Sequence, residues 1–343
     1  MSEQNQKPKA IDPESTHLLK EVACGRPLTT CCWDPQGRYL LFGAEDFDLH
    51  RYDLQADTVQ PLSHHDSWVR AIACTPDGSS VISGGYDGRL VWWPLSDQEP
   101  KHERSVDAHT GWIRAVVISP DAQTVATCGN DRLVKLWDVA TGELKSSLSG
   151  HEHHVYNIGF HPTGSFLYSC DLHGHIMQWD LAPDSEGRGE ELLRAEGLHI
   201  YDKSFRADIG GARTMVVHPE GDLLALGGIT KVTNAFAGVG HAVMILVNLR
   251  TGEVQQTCIP QSPPNGSTWG TAYHPDGFWI TAVGGSGGGW FYFWNGREEH
   301  ESFKLKLKSE ARAMAMSPDG RSLAVGHADR HLRMYALYEE SGK

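Results

Sequence analysis

The chain has 343 residues, 40% of them hydrophobic, and a formal net charge of -13. This is a globular composition. No apolar run approaches the roughly 18 residues of a membrane span, and the polar start MSEQNQKPKAIDPES lacks the apolar centre of a secretory signal. The acidic balance argues against a nucleic-acid backbone as the main partner, and seven cysteines, an odd number with no CxxC among them, read as buried reduced thiols of a cytoplasmic protein.

In chain order, residues 1–15 read as a disordered tail and His17 to Val22 as a strand-like run with no neighbour of its own. A proline-centred turn then recurs at Pro35, Pro76, Pro120, Pro162, Pro219, Pro275 and Pro318, in steps of 41, 44, 42, 57, 56 and 43 residues. The unit between prolines is clearest around Pro120, where four strand-like runs follow one another: Trp112 to Ser119, Thr124 to Cys128, Leu133 to Trp137 and Glu143 to Leu148. Pro120-Asp121-Ala122, Gly129-Asn130-Asp131 and Thr141-Gly142 break them. Such a meander cannot bury both of its faces alone, so the seven copies must stack on one another. In unit six the outer run FKLKLKSE puts Phe303, Leu305 and Leu307 toward a neighbour and Lys304, Lys306 and Lys308 toward water, which protects an edge. After Pro318 only Ser322 to Val325 and Leu332 to Leu337 remain before a polar tail, 339–343. The last unit therefore lacks its outer strand, and His17 to Val22 is expected to supply it.

The units carry Trp137-Asp138 and Trp179-Asp180, with Tyr52-Asp53, Trp93-Pro94 and Tyr335-Ala336 as weaker versions, and Gly150-His151 with Ala108-His109 and His64-His65 in register. On these residues the chain resembles the WD-repeat β-propellers over residues 16–338. The resemblance implies an all-β fold: one domain of seven four-stranded antiparallel blades, the last completed by the N-terminal strand. It also implies a structural network eleven residues before, and seven, eleven and seventeen after, each ruling proline: His65, Ser83, Asp87 and Trp93 in unit two; His109, Thr127, Asp131 and Trp137 in unit three; His151, Ser169 and Trp179 in unit four, where His173 replaces Asp. A hydroxyl, an imidazole and a carboxylate also make a hydrolase triad, but here blade packing sets their order, and no catalytic residue is assigned. Units one, five, six and seven carry Cys24, Asp208, Pro264 and Leu307 at the His position and are expected to be held mainly by apolar packing.

In a meander the incoming loop and the second turn lie on one face. The long segments Ala195 to Gly211, Ile229 to His241, Ile259 to Ser267 and Gly284 to Gly289 all project there. Six residues before the prolines, at the mouth of a central channel, stand Thr29, Arg70, Arg114, Tyr156, Arg213, Trp269 and Arg312. Trp68, Trp112 and His154 lie two residues earlier, and Tyr86 at the second turn. Related propellers commonly meet peptides at these positions, and Trp, Tyr and Arg are interface residues. The expected function is a non-catalytic, monomeric scaffold or adaptor binding an acidic or aromatic-bearing segment of a protein partner. The bland alternative pairs each arginine with a carboxylate such as Glu45, Asp46, Asp87 or Asp131. Two further alternatives stay open: an acid–base or metal-dependent catalyst using His199, Asp202, Asp208 or His241 on the rim of units five and six, and a permanent subunit of a larger assembly.

His151, His153, His154, His173 and His175 could converge on unit four, but no Cys or carboxylate stands at zinc-like spacing, and no metal ligand is assigned. His161, His218 and His274 precede the ruling prolines and read as turn residues. Gly238-Val239-Gly240 and the run Gly284 to Gly289 precede strand-like text rather than a helix that could hold a phosphate, so no cofactor is expected.

Overall fold

The computed structural model describes residues 10–339, except 96–99, 186, 235–238 and 297. The ends of both tails, 1–9 and 340–343, and the tip of the segment Ile229 to His241 lie outside the described residues.

Seven four-stranded antiparallel sheets form the blades of a propeller. Their inner strands are Leu28–Trp33, Val69–Cys74, Ile113–Ile118, Val155–Phe160, Thr214–Val217, Ser267–His274 and Ala311–Met316. Each inner strand lies against those of the two neighbouring blades, which closes the ring. The apolar alternation of the sequence is spent in the seams: seven clusters of buried side chains each join one blade to the next. The seam between blades six and seven, for example, is filled by Phe291, Phe293 and Leu307 from one side and Leu323, Val325 and Tyr335 from the other. Removing such faces from water is the main favourable term for a stack of meanders.

The closing strand is present. His17–Ala23 pairs antiparallel with His331–Ala336, from His17 opposite Ala336 to Ala23 opposite His331. Residues 10–15, read above as disordered, are tied down instead. Ile11 bridges Tyr338, and Pro13–Ser15 make a 3-10 turn capped by the Asp12 carboxylate. The edge of blade six is as expected: Phe303–Lys306 forms the outer strand, with Phe303 and Leu305 half-buried, Leu307 buried and the lysines exposed.

The network expected in blades two to four is formed. Its direction follows from the chemistry: an ionised carboxylate only accepts, so the imidazole Nδ1 donates to it, Nε2 accepts from the hydroxyl, and the hydroxyl oxygen accepts from the indole N–H. In blade two the three links are 3.0 Å for His65 to Asp87, 2.9 Å for Ser83 to His65 and 2.9 Å for Trp93 to Ser83. In blade three the same links are 2.8, 2.7 and 2.9 Å among His109, Asp131, Thr127 and Trp137.

One expectation is corrected here and another is refined. Blade four does not lose its carboxylate: Asp171, two residues before His173, accepts from His151 Nδ1 at 3.2 Å, and Ser169 and Trp179 complete the chain at 2.6 and 2.7 Å. The equivalent positions in blades two and three are Gly85 and Gly129, and a Cβ on Gly85 would overlap both the Asp87 carboxylate and the His65 ring. One carboxylate site is thus reached from either of two backbone positions, and the unused position must be small or turn away. Blades one and seven, moreover, do not rely on apolar packing alone. His50 meets Asp46 at 3.1 Å, and the buried Arg333 forks onto Asp329 at 2.7 and 2.9 Å and reaches Glu21 of the closing strand. The pairing partner has moved from the incoming loop to the third strand, four residues after the aspartate. Leu307 is simply buried, and Asp208 lies outside the blades altogether.

The long segments of blade five are hairpins rather than loops. After a 3-10 turn at Glu196–Leu198, His199–Asp202 and Ala207–Gly210 form a separate two-stranded sheet, and Leu223–Asn234 and Val239–Asn248 pair well beyond the body of the blade. The turn histidines also do more than turn the chain: the Nε2 atoms of His161 and His274 donate to the carbonyls of Gly221 and Gly320 in the next blade, at 3.1 and 2.9 Å.

Candidate binding site at the channel mouth

The pairing of first and second strands is interrupted by a bulge in six blades, and each bulge falls on the channel-mouth residue: Thr29, Arg70, Arg114, Tyr156, Trp269 and Arg312. A bulge re-aims a side chain out of the alternating pattern, and these turn theirs into the channel. Together with Arg213 they line a cavity of about 300 Å³, to which Trp68 and Tyr86 also contribute.

Inside it the arginines lie on aromatic faces. Arg114 sits 4.4 Å from the ring centre of Tyr156 and 4.8 Å from that of Trp112; Arg213 is 4.9 Å from Tyr156 and 5.5 Å from Trp269; Arg70 is 5.7 Å from Trp269. Trp112 stacks on Tyr86 at 4.2 Å. These contacts fix planar cations in place without neutralising them. Arg70 also donates to the Thr29 carbonyl at 2.8 Å and Arg114 to Asn130 at 2.8 Å, both neutral acceptors. The Arg213 Nε is buried and has no hydrogen-bond partner among the described residues.

Charge pairing separates the four arginines. Arg312 meets Glu45 at 3.1 Å. Among the described residues, no ion pair within 4.0 Å forms at Arg70, Arg114 or Arg213. Among the described residues the bland alternative therefore applies to Arg312 alone. Asp46, Asp87 and Asp131 are engaged by histidines of their own blades instead. Burial, reinforced by the positive charges of Arg213 and Arg114, lowers the pKa of Arg70 against the opposing pull of the Tyr86 hydroxyl. Burial and, after it, the Arg114 charge likewise lower the pKa of His154.

Around this mouth, on the face of the incoming loops and second turns, large apolar side chains stand in water: Phe47, Trp68 and Trp112 on one side, and Ile200, Tyr201 and Phe205 of the separate hairpin on the other. Ile200, Tyr201 and Phe205 carry no signal in the sequence, because their exposure depends on a sheet that belongs to no blade. The other rim residues do not converge on one centre. His199 and Asp208 meet at 2.8 Å, Asp202 caps the hairpin turn through the N–H of Ser204, and His241 bridges Asn265 on the other hairpin. His175 turns away to Glu191 at 3.2 Å.

The family model described as "WD domain, G-beta repeat" matches residues 56–94, 100–138 and 142–180. Each match begins near the outer strand of one blade and runs through three strands of the next, which is the offset that leaves one strand to close the ring. The chain is a seven-bladed β-propeller that carries WD repeats. Among known proteins, this WD-repeat chain is similar to mitotic checkpoint protein BUB3.3 of Arabidopsis thaliana, at 31% identity over 91 residues, which is 26% of this chain and 29% of that protein. It is similar to nuclear distribution protein nudF of Emericella nidulans at 27% over 182 residues, 47% of this chain and 40% of that one. A probable cytosolic iron-sulfur protein assembly protein 1 of Cryptococcus neoformans is 29% identical over 126 residues, 36% and 26% of the two chains. The matched stretches thus span between about a quarter and two fifths of these relatives' length. Among the described residues of the propeller, no helix is long and apolar enough to cross a membrane.

Proposed function

We propose that this propeller is a non-catalytic scaffold, working as a cytoplasmic monomer, that binds an acidic segment of a protein partner at the channel mouth. The observation that carries the reading is the set of three half-buried guanidinium groups, Arg70, Arg114 and Arg213, held on aromatic faces with no carboxylate within ion-pairing distance among the described residues. A preorganised, partly desolvated cation that lacks its own counter-ion is suited to accept one from a ligand, with bidentate geometry available to a carboxylate. Trp68, Tyr86, Trp112, His154, Tyr156 and Trp269 supply the rigid flanks on which the rest of the segment packs, and Arg312, held by Glu45, serves the rim.

The test compares the wild-type chain with an Arg70→Glu, Arg114→Glu, Arg213→Glu variant whose fold and melting are first checked by circular dichroism. Both are used to capture partners from an extract of the native source and are titrated with glutamate-rich peptides. Partners and peptide binding present with the wild type and lost with the variant support the reading. Identical capture and identical titrations by both chains overturn it.

A further inference from the structure

Next to the mouth, the second turn of blade four and the separate hairpin bring together residues that lie far apart in the chain. Asp208 Oδ1 lies 2.8 Å from His199 Nε2 and 3.2 Å from His173 Nε2. The first is a hydrogen bond; the second is not, and His173 Nε2 is buried with no hydrogen-bond partner among the described residues. The His173 ring is itself sandwiched, with His199 stacked on one neighbour contact at 4.0 Å and His153 on another at 3.4 Å.

We propose that His173, His199 and Asp208 form a site for one divalent transition-metal ion of the zinc class, which clips the hairpin of residues 199–210 onto blade four. One ligand atom from each residue lies within 4.8 Å of the other two. Bond lengths of about 2.0–2.1 Å to imidazole nitrogen and carboxylate oxygen in a tetrahedral centre require ligand atoms roughly 3.3–3.5 Å apart. From 2.8 Å the His199 separation must widen by about 0.5–0.7 Å and from 3.2 Å the His173 separation by about 0.1–0.3 Å, while the stacked rings of His173 and His199 hinge apart. Two imidazoles and one carboxylate suit zinc, nickel or copper better than magnesium or calcium. Three protein ligands leave a fourth position for water, for the neighbouring His153 or for a group of a bound partner.

The hairpin gives the site its purpose. Its two strands have four residues each and join no blade, and an isolated two-stranded ribbon is marginal in water without further support. It nevertheless presents Ile200, Tyr201 and Phe205 to solvent. A metal bridge from Asp208 and His199 to His173 would fix that apolar edge relative to the channel mouth. The inference is independent of the proposed acidic ligand, since none of the three residues belongs to the arginine cluster.

The experiment uses the full chain, stripped with a chelator and dialysed, and titrates it with Co²⁺ while recording visible d–d absorption and calorimetric heat. Expected are one Co²⁺ per chain with the intense bands of a low-coordinate site, displacement by Zn²⁺, and slower proteolysis in the hairpin turn when Zn²⁺ is present. His199→Ala and Asp208→Asn should each weaken binding by about tenfold or more. Because both positions lie outside every blade, the ring folds in both variants, and near-ultraviolet dichroism checks this. Absence of stoichiometric binding overturns the proposal. So does binding that is unchanged in the two variants, which would assign the metal to another group such as His218 with Asp222.

Discussion

Asp171 offers a demanding test of how the blades are held. Its side chain is buried, and it accepts from His151 Nδ1 at 3.2 Å and from the backbone N–H groups of His173 and His175 at 2.9 and 3.0 Å. Asp171→Gly leaves a buried imidazole N–H and two turn N–H groups without their acceptor. A stranded buried donor costs about 1–3 kcal/mol and loss of a buried charged partner about 3–5 kcal/mol, so a destabilisation of about 3–5 kcal/mol is expected. At roughly 2.1 cal/mol/K of unfolding entropy per residue, a ring of this size should melt about 4–7 °C lower. His173→Asp alone should also destabilise, because two carboxylates would then contend for one imidazole. The double variant reproduces the arrangement of blades two and three, glycine at the first position and aspartate at the second, and should regain most of the loss. The assay is thermal unfolding followed by circular dichroism, in chelator so that the role of His173 as a ligand does not enter. A double variant that melts as low as Asp171→Gly would refute the equivalence of the two carboxylate positions.

Two other outcomes follow from buried titratable groups. His327 donates through Nδ1 to the carbonyls of Ser309 and Glu310, its Nε2 has no partner among the described residues, and burial pushes its pKa down to about 4. Since the unfolded chain takes up this proton near pH 6.5 and the folded chain does not, stability should fall by about 2–3 kcal/mol as the pH drops from about 6.5 to 4. His327→Asn should flatten that slope by about one proton in urea-unfolding series, and an unchanged slope would show that His327 does not set it. Burial also pushes the thiols of Cys31, Cys170 and Cys258 up to about 12 and raises Cys128 further still. The native chain should therefore leave these four unalkylated by iodoacetamide at pH 8, as read by peptide mass spectrometry, and label them only after unfolding.

Much of the ring was legible because its period is long and marked by a rigid residue. Proline at the first turn fixes the register of each blade, and from it the inner strands, the closing strand and the ring of mouth residues can be counted off. What could not be counted was where equivalent chemistry enters from a different position. Asp171 does the work expected two residues later, and His50 and Arg333 do the work expected of a histidine in the incoming loop, because a pocket between strands can be filled from more than one backbone site. The bulges that aim the mouth residues inward leave no trace in spacing, since six blades carry the extra residue at the same place and the period absorbs it. Whether Arg70, Arg114 and Arg213 keep their charge to themselves depends on carboxylates from neighbouring blades. The nearness of His173 to His199 and Asp208 depends on a hairpin folded back over a turn more than twenty residues earlier.

The closing strand has a mechanical consequence. His17 pairs with Ala336, and the register runs inward from there to Ala23 with His331. The two chain segments that lead away from the sheet therefore leave it at the same end of the ladder. Tension applied between them loads the hydrogen bonds one after another instead of all at once, as in a zip rather than a lap joint. The Glu21–Arg333 pair stands four pairs into the ladder, behind the Asp12–Leu337 backbone bond and the Lys20–Asp57 ion pair. A ring without a free edge at equilibrium thus has a seam that tension on these two segments parts bond by bond.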